Sequence, residues 1–207
     1  MNAGFSSLTA LKAQLLAEAL RAGTKYDTVL MTLGLGVAAQ CEKFCNRKFS
    51  RIPGALFYCT ADRDHCFVDR YPIESVSAVA MQSDPTSGYE ELSGAVLNWE
   101  AASGLISFGS RLGNWNQTVR VTFTGGYWWD ITEDASDSLP TNATAVPDDL
   151  KLAWLTQCRL VWQAMDKLGV DIVRTGSASG VNNTIGTVAL SDGVKETLLA
   201  YRRYQIS

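Results

Sequence analysis

Five cysteines and a single histidine are the side chains of this 207-residue chain best suited to chemistry. Cys41 and Cys45 stand one helical turn apart and His65 lies beside Cys66, a grouping that would suit a thiolate metal site. The spacing departs from the common zinc patterns, which pair close ligands at both ends of the motif. Cys41 also falls on an apolar stripe, and cysteine is among the most buried residue types. Cys41, Cys45, Cys59, Cys66 and Cys158 therefore read as small core side chains, reduced because their number is odd and no secretion signal precedes them. His65 has no sequence context that pairs it with a nucleophile, and no phosphate-cradling glycine loop or dinucleotide fingerprint occurs. The nearest glycine-rich candidate, Leu33-Gly34-Leu35-Gly36, sits inside a predicted helix rather than at a strand-to-helix turn. Carboxylates gather between Val121 and Leu150, where Asp130, Glu133, Asp134, Asp137, Asp148 and Asp149 occur without any Lys or Arg. Acids clustered in a loop read as solvated rather than paired for hydrolysis. No catalytic, cofactor-binding or metal-ligating residue is assigned, and no enzyme activity is expected.

The elements that carry these groups change character along the chain. Leu8, Leu11, Leu15 and Leu16/Ala19 recur at helical spacing, which predicts a first helix from Leu8 to Leu20 with Ser7 as N-cap. A second predicted helix runs from Asp27 to Arg47 on the stripe Leu30, Leu33, Val37, Cys41 and Phe44, with Thr24 and Asp27 in a relation that resembles a capping box. Gly34 and Gly36 each weaken it by about 1 kcal/mol relative to alanine, so either another backbone packs closely there or the helix bends. Lys43, Arg47, Lys48 and Arg51 cluster at its end, where cations complement the helix dipole; contact with an acidic neighbour or DNA phosphate is the functional alternative.

Between Ala55 and Trp129 the period becomes two. Strands are predicted at Ala55–Thr60, Cys66–Asp69, Ser75–Gln82, Val96–Trp99, Leu105–Phe108 and Thr118–Thr124. In the last, Val119, Val121 and Phe123 face one side while Thr118, Arg120, Thr122 and Thr124 face the other. Trp99, Trp115, Tyr127, Trp128 and Trp129 add an aromatic set that fills core or subunit contacts; a sugar-stacking surface of a carbohydrate-binding module is the alternative.

A third long helix is predicted from Asp148 to Leu168. Trp154, Cys158, Val161, Met165 and Leu168 form one stripe, and Leu152, Leu155 and Trp162 lie on a different face. A helix apolar on two sides is buried on two sides, which makes Leu152, Leu155 and Trp162 a candidate subunit interface. Thr175 to Asn183 has the Gly/Ser/Asn composition of a flexible linker. After it, Ser191 or Asp192 can cap a short helix with Val194, Leu198 and Tyr201 on one face, followed by Arg202, Arg203, Tyr204 and Ile206. The expected organisation is a core over 1–170, with helices 8–20, 27–47 and 148–168 and a β insertion over 55–129. A linker and tethered terminal helix follow over 171–207.

Composition excludes several classes. Hydrophobic residues make up 46% and charged residues 19%, ordinary globular usage, and a net charge of -3 gives no general attraction for nucleic acid. The start Met1-Asn2-Ala3-Gly4-Phe5 is unlike a signal peptide and no run reaches membrane-span length, so the chain is expected to stay where it is made, with no membrane partner.

The sequence resembles the head-tail connector, or adaptor, proteins of tailed bacteriophages. The resemblance is carried by Leu8-Thr9-Ala10-Leu11-Lys12 and by Asp27 opening a helix that runs through Ala38/Ala39 to Arg47-Lys48-Phe49. Tyr71-Pro72-Ile73-Glu74-Ser75-Val76, Val119 to Tyr127, Val146 to Ala153 and the closing Leu198 to Arg203 continue it. It implies an α+β fold: an antiparallel helical core, a strand-rich insertion between the second and third long helices, and a tethered C-terminal helix. It further implies a structural subunit of a ring, usually twelvefold, that docks on the portal protein, extends the DNA channel and receives a stopper or tail-completion protein. The place would be the virion neck, after assembly in the host cytoplasm. On that resemblance Leu198, Tyr201, Arg202, Arg203, Tyr204 and Ile206 are candidate portal contacts, and the loop of Asp130, Glu133, Asp134 and Asp137 faces the channel or the tail. No cofactor is implied, and double-stranded DNA would pass without specific contact.

Overall fold

A computed structural model describes residues 3–84, 86–96, 98–128, 139–174 and 189–203, with side chains described to 165 in the long third helix. The fold is α+β, with helices and antiparallel sheets in two compact units.

The helical unit takes the described residues up to 46 and from 146 onward. Ser7 caps α1 (Leu8–Leu15), its hydroxyl accepting from the Ala10 amide at 3.2 Å. Leu16 turns extended, so the predicted first helix is two: α1, then the four-residue α2 (Glu18–Arg21). The long α3 (Asp27–Cys45) buries Leu30, Leu33, Val37, Ala38 and Cys41. It ends on Asn46 in the left-handed conformation, whose amide reaches back to the Glu42 and Lys43 carbonyls. The capping box expected from Thr24 and Asp27 does not form: the Asp27 carboxylate pairs with Lys12, and its amide bonds the Thr24 carbonyl. The third long helix, α4 (Asp148–Arg174), packs on α1 and α3 through Leu150, Ala153, Trp154 and Cys158.

Trp154 explains one of the two helix glycines. Its indole N–H donates to the Gly34 carbonyl at 2.9 Å while its ring packs 6.1 Å from Phe5. A Cβ on Gly34 would run into the Ala3 carbonyl and press on the indole. Close backbone approach, rather than a bend, is what Gly34 serves.

The sheet unit takes residues 47–128 with 139–145. Its larger sheet has the order β1 (Ile52–Thr60), β7 (Thr118–Gly125), β3 (Ile73–Gln82), β4 (Glu90–Glu91), all antiparallel. A smaller one orders β2 (His65–Phe67), β6 (Leu105–Ser107), β5 (Asn98–Glu100), and β8 (Tyr127–Trp128) pairs in parallel with β9 (Thr144–Ala145). Val119, Val121 and Phe123 of the central β7 are fully buried and pack with Ile73, Val79, Ile106 and Phe108. The alternation read from the sequence thus sets which face of β7 becomes core.

Candidate interaction surfaces

The terminal helix α5 (Asp192–Leu199) is folded onto α3 and α4 of its own unit. Val194 and Leu198 are 2% and 0% exposed. This corrects the expectation that Leu198 is a portal contact on a tethered helix: Leu198 already fills the core of its own unit. Gln157, fully buried on α4, fixes the chain where it enters α5. Its amide nitrogen donates to the Ala189 carbonyl at 3.0 Å and its oxygen accepts from the Ser191 amide at 3.0 Å. Beyond the helix, the Arg203 amide donates to the Cys45 carbonyl at 2.7 Å, and the Cys45 thiol donates to the Leu198 carbonyl.

The other candidate portal residues sit nearer the surface. The Tyr201 hydroxyl, on a half-buried side chain, donates to the Asp149 carboxylate at 2.6 Å. Arg202 is exposed, its guanidinium 5.6 Å from the Phe44 ring centre. Arg203 is half-buried. Tyr204 and Ile206 lie outside the described residues, as do Asp130, Glu133, Asp134 and Asp137 of the acidic loop and the linker from Thr175.

On α4 the candidate interface residues divide. Leu152 is 65% exposed; Leu155 is half-buried; Trp162 is half-buried and meets Tyr26 edge-on at 6.0 Å. Leu160 and Met165 are also exposed, although Met165 belongs to the stripe expected to be core.

Two members of the basic cluster, Arg47 and Arg51, are engaged within the sheet unit. Arg47 is buried in the sheet unit, with its guanidinium over the Tyr71 ring at 3.4 Å and near Phe49 and Tyr127, and it donates to the Tyr71 carbonyl. Arg51 makes a forked pair with Glu74 at 2.6 and 2.8 Å, and that bonding raises its pKa further. Of the aromatic set, Tyr127 is spent on this arginine cage, Trp99 and Trp115 are 39% and 77% exposed, and Trp129 lies outside the described residues. A common sugar-stacking face through Tyr127 is therefore ruled out.

Cys41, Cys45, Cys66 and Cys158 are buried free thiols, as expected, and Cys59 is half-buried. Burial, and then neighbouring Cys45, pushes the Cys41 thiol up to about 12; burial, and then Cys41, raises Cys158 as well. A hydrogen bond from Cys66 lowers Cys59 instead. Among the described residues no group of three metal-ligating side chains converges. His65 pairs with Asp64 at 2.6 Å and stands opposite Ser107 in the β2–β6 register. Imidazole and carboxylate are 45% and 65% exposed, so the pair lacks the buried, oriented carboxylate on which Ser-His-Asp chemistry depends.

No family model and no curated protein matches the sequence. Solved structures do. The chain shares its fold with chains in structures of a gene transfer agent particle and of its neck. In the virion of the native particle the likeness has a TM-score of 0.61 at 16% identity, covering 97% of this chain and 90% of that one. In the neck of the empty particle, computed with C6 symmetry, the TM-score is 0.56 at 15% identity. In the native neck, computed with C12 symmetry, it is 0.53 at 14%, with the same coverage in both. The likeness is consistent with the head-tail connector resemblance carried by the sequence motifs. No helix among the described residues is long and apolar enough to cross a membrane.

Proposed function

We propose that this chain is a structural subunit of a ring in the neck of a phage-type virion. The observation that carries the reading is a likeness to chains of particle-neck structures that extends over 97% of this sequence and takes in both units. The symmetry of those necks supports a ring, with twelve copies as the expected number. The exposed Leu152 and half-buried Leu155 and Trp162 form part of the contact between copies. In this role the ring docks on the portal protein, extends the DNA channel and offers its far side to a stopper or tail-completion protein. It works by shape and charge, and the acidic stretch Asp130 to Asp137 repels phosphate so that the duplex slides past.

Portal docking falls to the outward side of the C-terminal segment. Leu198 holds α5 in place, so contact comes from exposed Leu199 and Arg202, with half-buried Tyr201 and Arg203, and Tyr204 and Ile206 follow in the sequence as further candidates. Arg and Tyr are over-represented among side chains that dominate interface energetics. The test is co-purification with portal of full-length chain carrying Leu199→Asp and Arg202→Glu, which leave the buried face of α5 untouched. Loss of portal binding with unchanged melting is expected; undiminished binding refutes portal docking by this segment.

A further inference from the structure

The sheet unit holds two cysteines, Cys59 on β1 and Cys66 on β2, and the two meet. Cys59 packs against the core cluster that contains Cys66, and the thiols share a hydrogen bond. Both are free. β1 is the outermost strand of the larger sheet and β2 of the smaller, so these two strands are not paired with each other. The sulfurs therefore sit where two edge strands of separate sheets come together.

Their surroundings give the two sulfurs different tasks. Cys66 is 6% exposed, whereas Cys59 is half-buried and is the one a small reagent meets first. The Cys66 thiol donates to the Cys59 sulfur, which favours thiolate at Cys59; burial and the Asp62 carboxylate oppose this, and the hydrogen bond wins. Thiolate is the attacking form in disulfide exchange. The cysteines of the helical unit are the contrast. Burial pushes the Cys41 thiol up to about 12 and raises Cys158 as well, while the Cys45 thiol is bonded to the Leu198 carbonyl.

We infer that Cys59 and Cys66 are an oxidisable dithiol, which a low-molecular-weight disulfide converts to a cross-link tying β1 to β2. The Cys59 thiolate attacks one sulfur of the reagent RSSR, forming a mixed disulfide at Cys59 and releasing RS−. Cys66 gives its proton to that thiolate, and its sulfur attacks the Cys59 sulfur and displaces the second RS−, which takes from water the proton Cys59 had lost. The protein sulfurs lose two electrons between them, and the reagent gains both and leaves as two RSH. The cross-link closes a short loop over 59–66 and restrains the unfolded chain there. A reducing cytoplasm keeps the pair open, so on the ring reading the cross-link sets after the particle leaves the cell; the chemistry itself does not depend on that reading.

The test equilibrates the purified full-length chain with oxidised glutathione, unfolds it in the presence of an alkylating reagent, and maps its peptides by mass spectrometry. The expected product carries a cross-link between Cys59 and Cys66 and leaves Cys41, Cys45 and Cys158 alkylated. Its melting temperature is expected to rise by about 5–10 °C, a gain that dithiothreitol reverses. Cys66→Ala removes the second attacker, so glutathione is expected to stay bound at Cys59. Cys59→Ala leaves only the covered sulfur, which should take up roughly tenfold less. Wild type with all five thiols alkylated, or cross-linked through other cysteines, overturns the inference. So does a cross-linked chain that melts no higher than the reduced one. The wild type decides the matter even where a variant fails to fold, and a negative result leaves the ring reading standing.

Discussion

Gly34 and Gly36 lie two residues apart on α3, and alanine is expected to act in opposite directions at the two positions. Either substitution gains about 1 kcal/mol of helix propensity. At Gly36 the new methyl meets nothing within 4 Å, so the gain stands alone and raises the melting temperature by roughly 2–4 °C for a chain of this size. At Gly34 the methyl meets the Ala3 carbonyl and comes within 3.1 Å of the Trp154 ring. Overpacking of that kind costs about 1–3 kcal/mol, and loosening the Trp154 bond to the Gly34 carbonyl costs about 1 kcal/mol more. Set against the propensity gain, the net loss is roughly 1–3 kcal/mol, or about 2–12 °C. Thermal melts of both variants followed by far-UV circular dichroism and by tryptophan fluorescence separate the cases. A Gly34→Ala protein that melts at or above wild type would refute the packing of residue 3 and Trp154 on α3. A Gly36→Ala protein that melts lower would refute the open α3 face.

Gln157→Leu removes the bridge to Ala189 and Ser191 and leaves two backbone groups unsatisfied, a loss of about 2–3 kcal/mol; hydrogen exchange over 192–199 should accelerate well before the rest of the helical unit, and uniform protection would count against the clamp. The Cys41 thiol, pushed up to about 12 from 9.0, holds its proton more tightly in the folded chain than in the unfolded one. Stability is therefore level below the unfolded value and falls as pH rises towards the folded one, so the urea midpoint should hold up to about pH 9.0 and drop progressively above it. A Cys41→Ala variant with the same drop would assign it elsewhere. Replacing Asp130, Glu133, Asp134 and Asp137 by Asn or Gln should leave the melting temperature nearly unchanged while reducing DNA delivery or tail attachment; full infectivity of such virions would remove the loop from the account.

Periodicity made most of the fold legible. Thr118–Thr124 alternates so regularly that its buried face could be named in advance, and Asp148 marks the start of α4 as expected because Pro147 and two acids precede an apolar stripe. β1 and β3 begin three and two residues before the periodic stretches Ala55–Thr60 and Ser75–Gln82, because Pro53, Gly54 and Ile73 hide the period. β4, β8 and β9 have two residues each and carry no readable repeat. The break after α1 leaves no mark in the sequence, because Leu16 and Ala19 continue the helical spacing through an extended residue.

The interaction surfaces were less legible, because sequence shows which side chains are apolar but not which are already covered. Leu198 and Leu152 look alike in the sequence, yet the first is fully buried on the inner side of α5 and the second is 65% exposed. Gln157 had a usable signal: a glutamine between Trp154 and Val161, on the buried side of α4, must find partners for both ends of its amide. Arg47 had none, since the aromatic rings that enclose it come from Phe49, Tyr71 and Tyr127, far apart in the chain.

The central claim is that copies of this chain close into a ring on the portal. Electron microscopy of the purified full-length chain bound to portal tests it most directly. A closed ring with a central channel, twelve copies and α5 of each subunit beside the portal is the expected result. Single copies scattered on the portal, or no association with it, would contradict the claim.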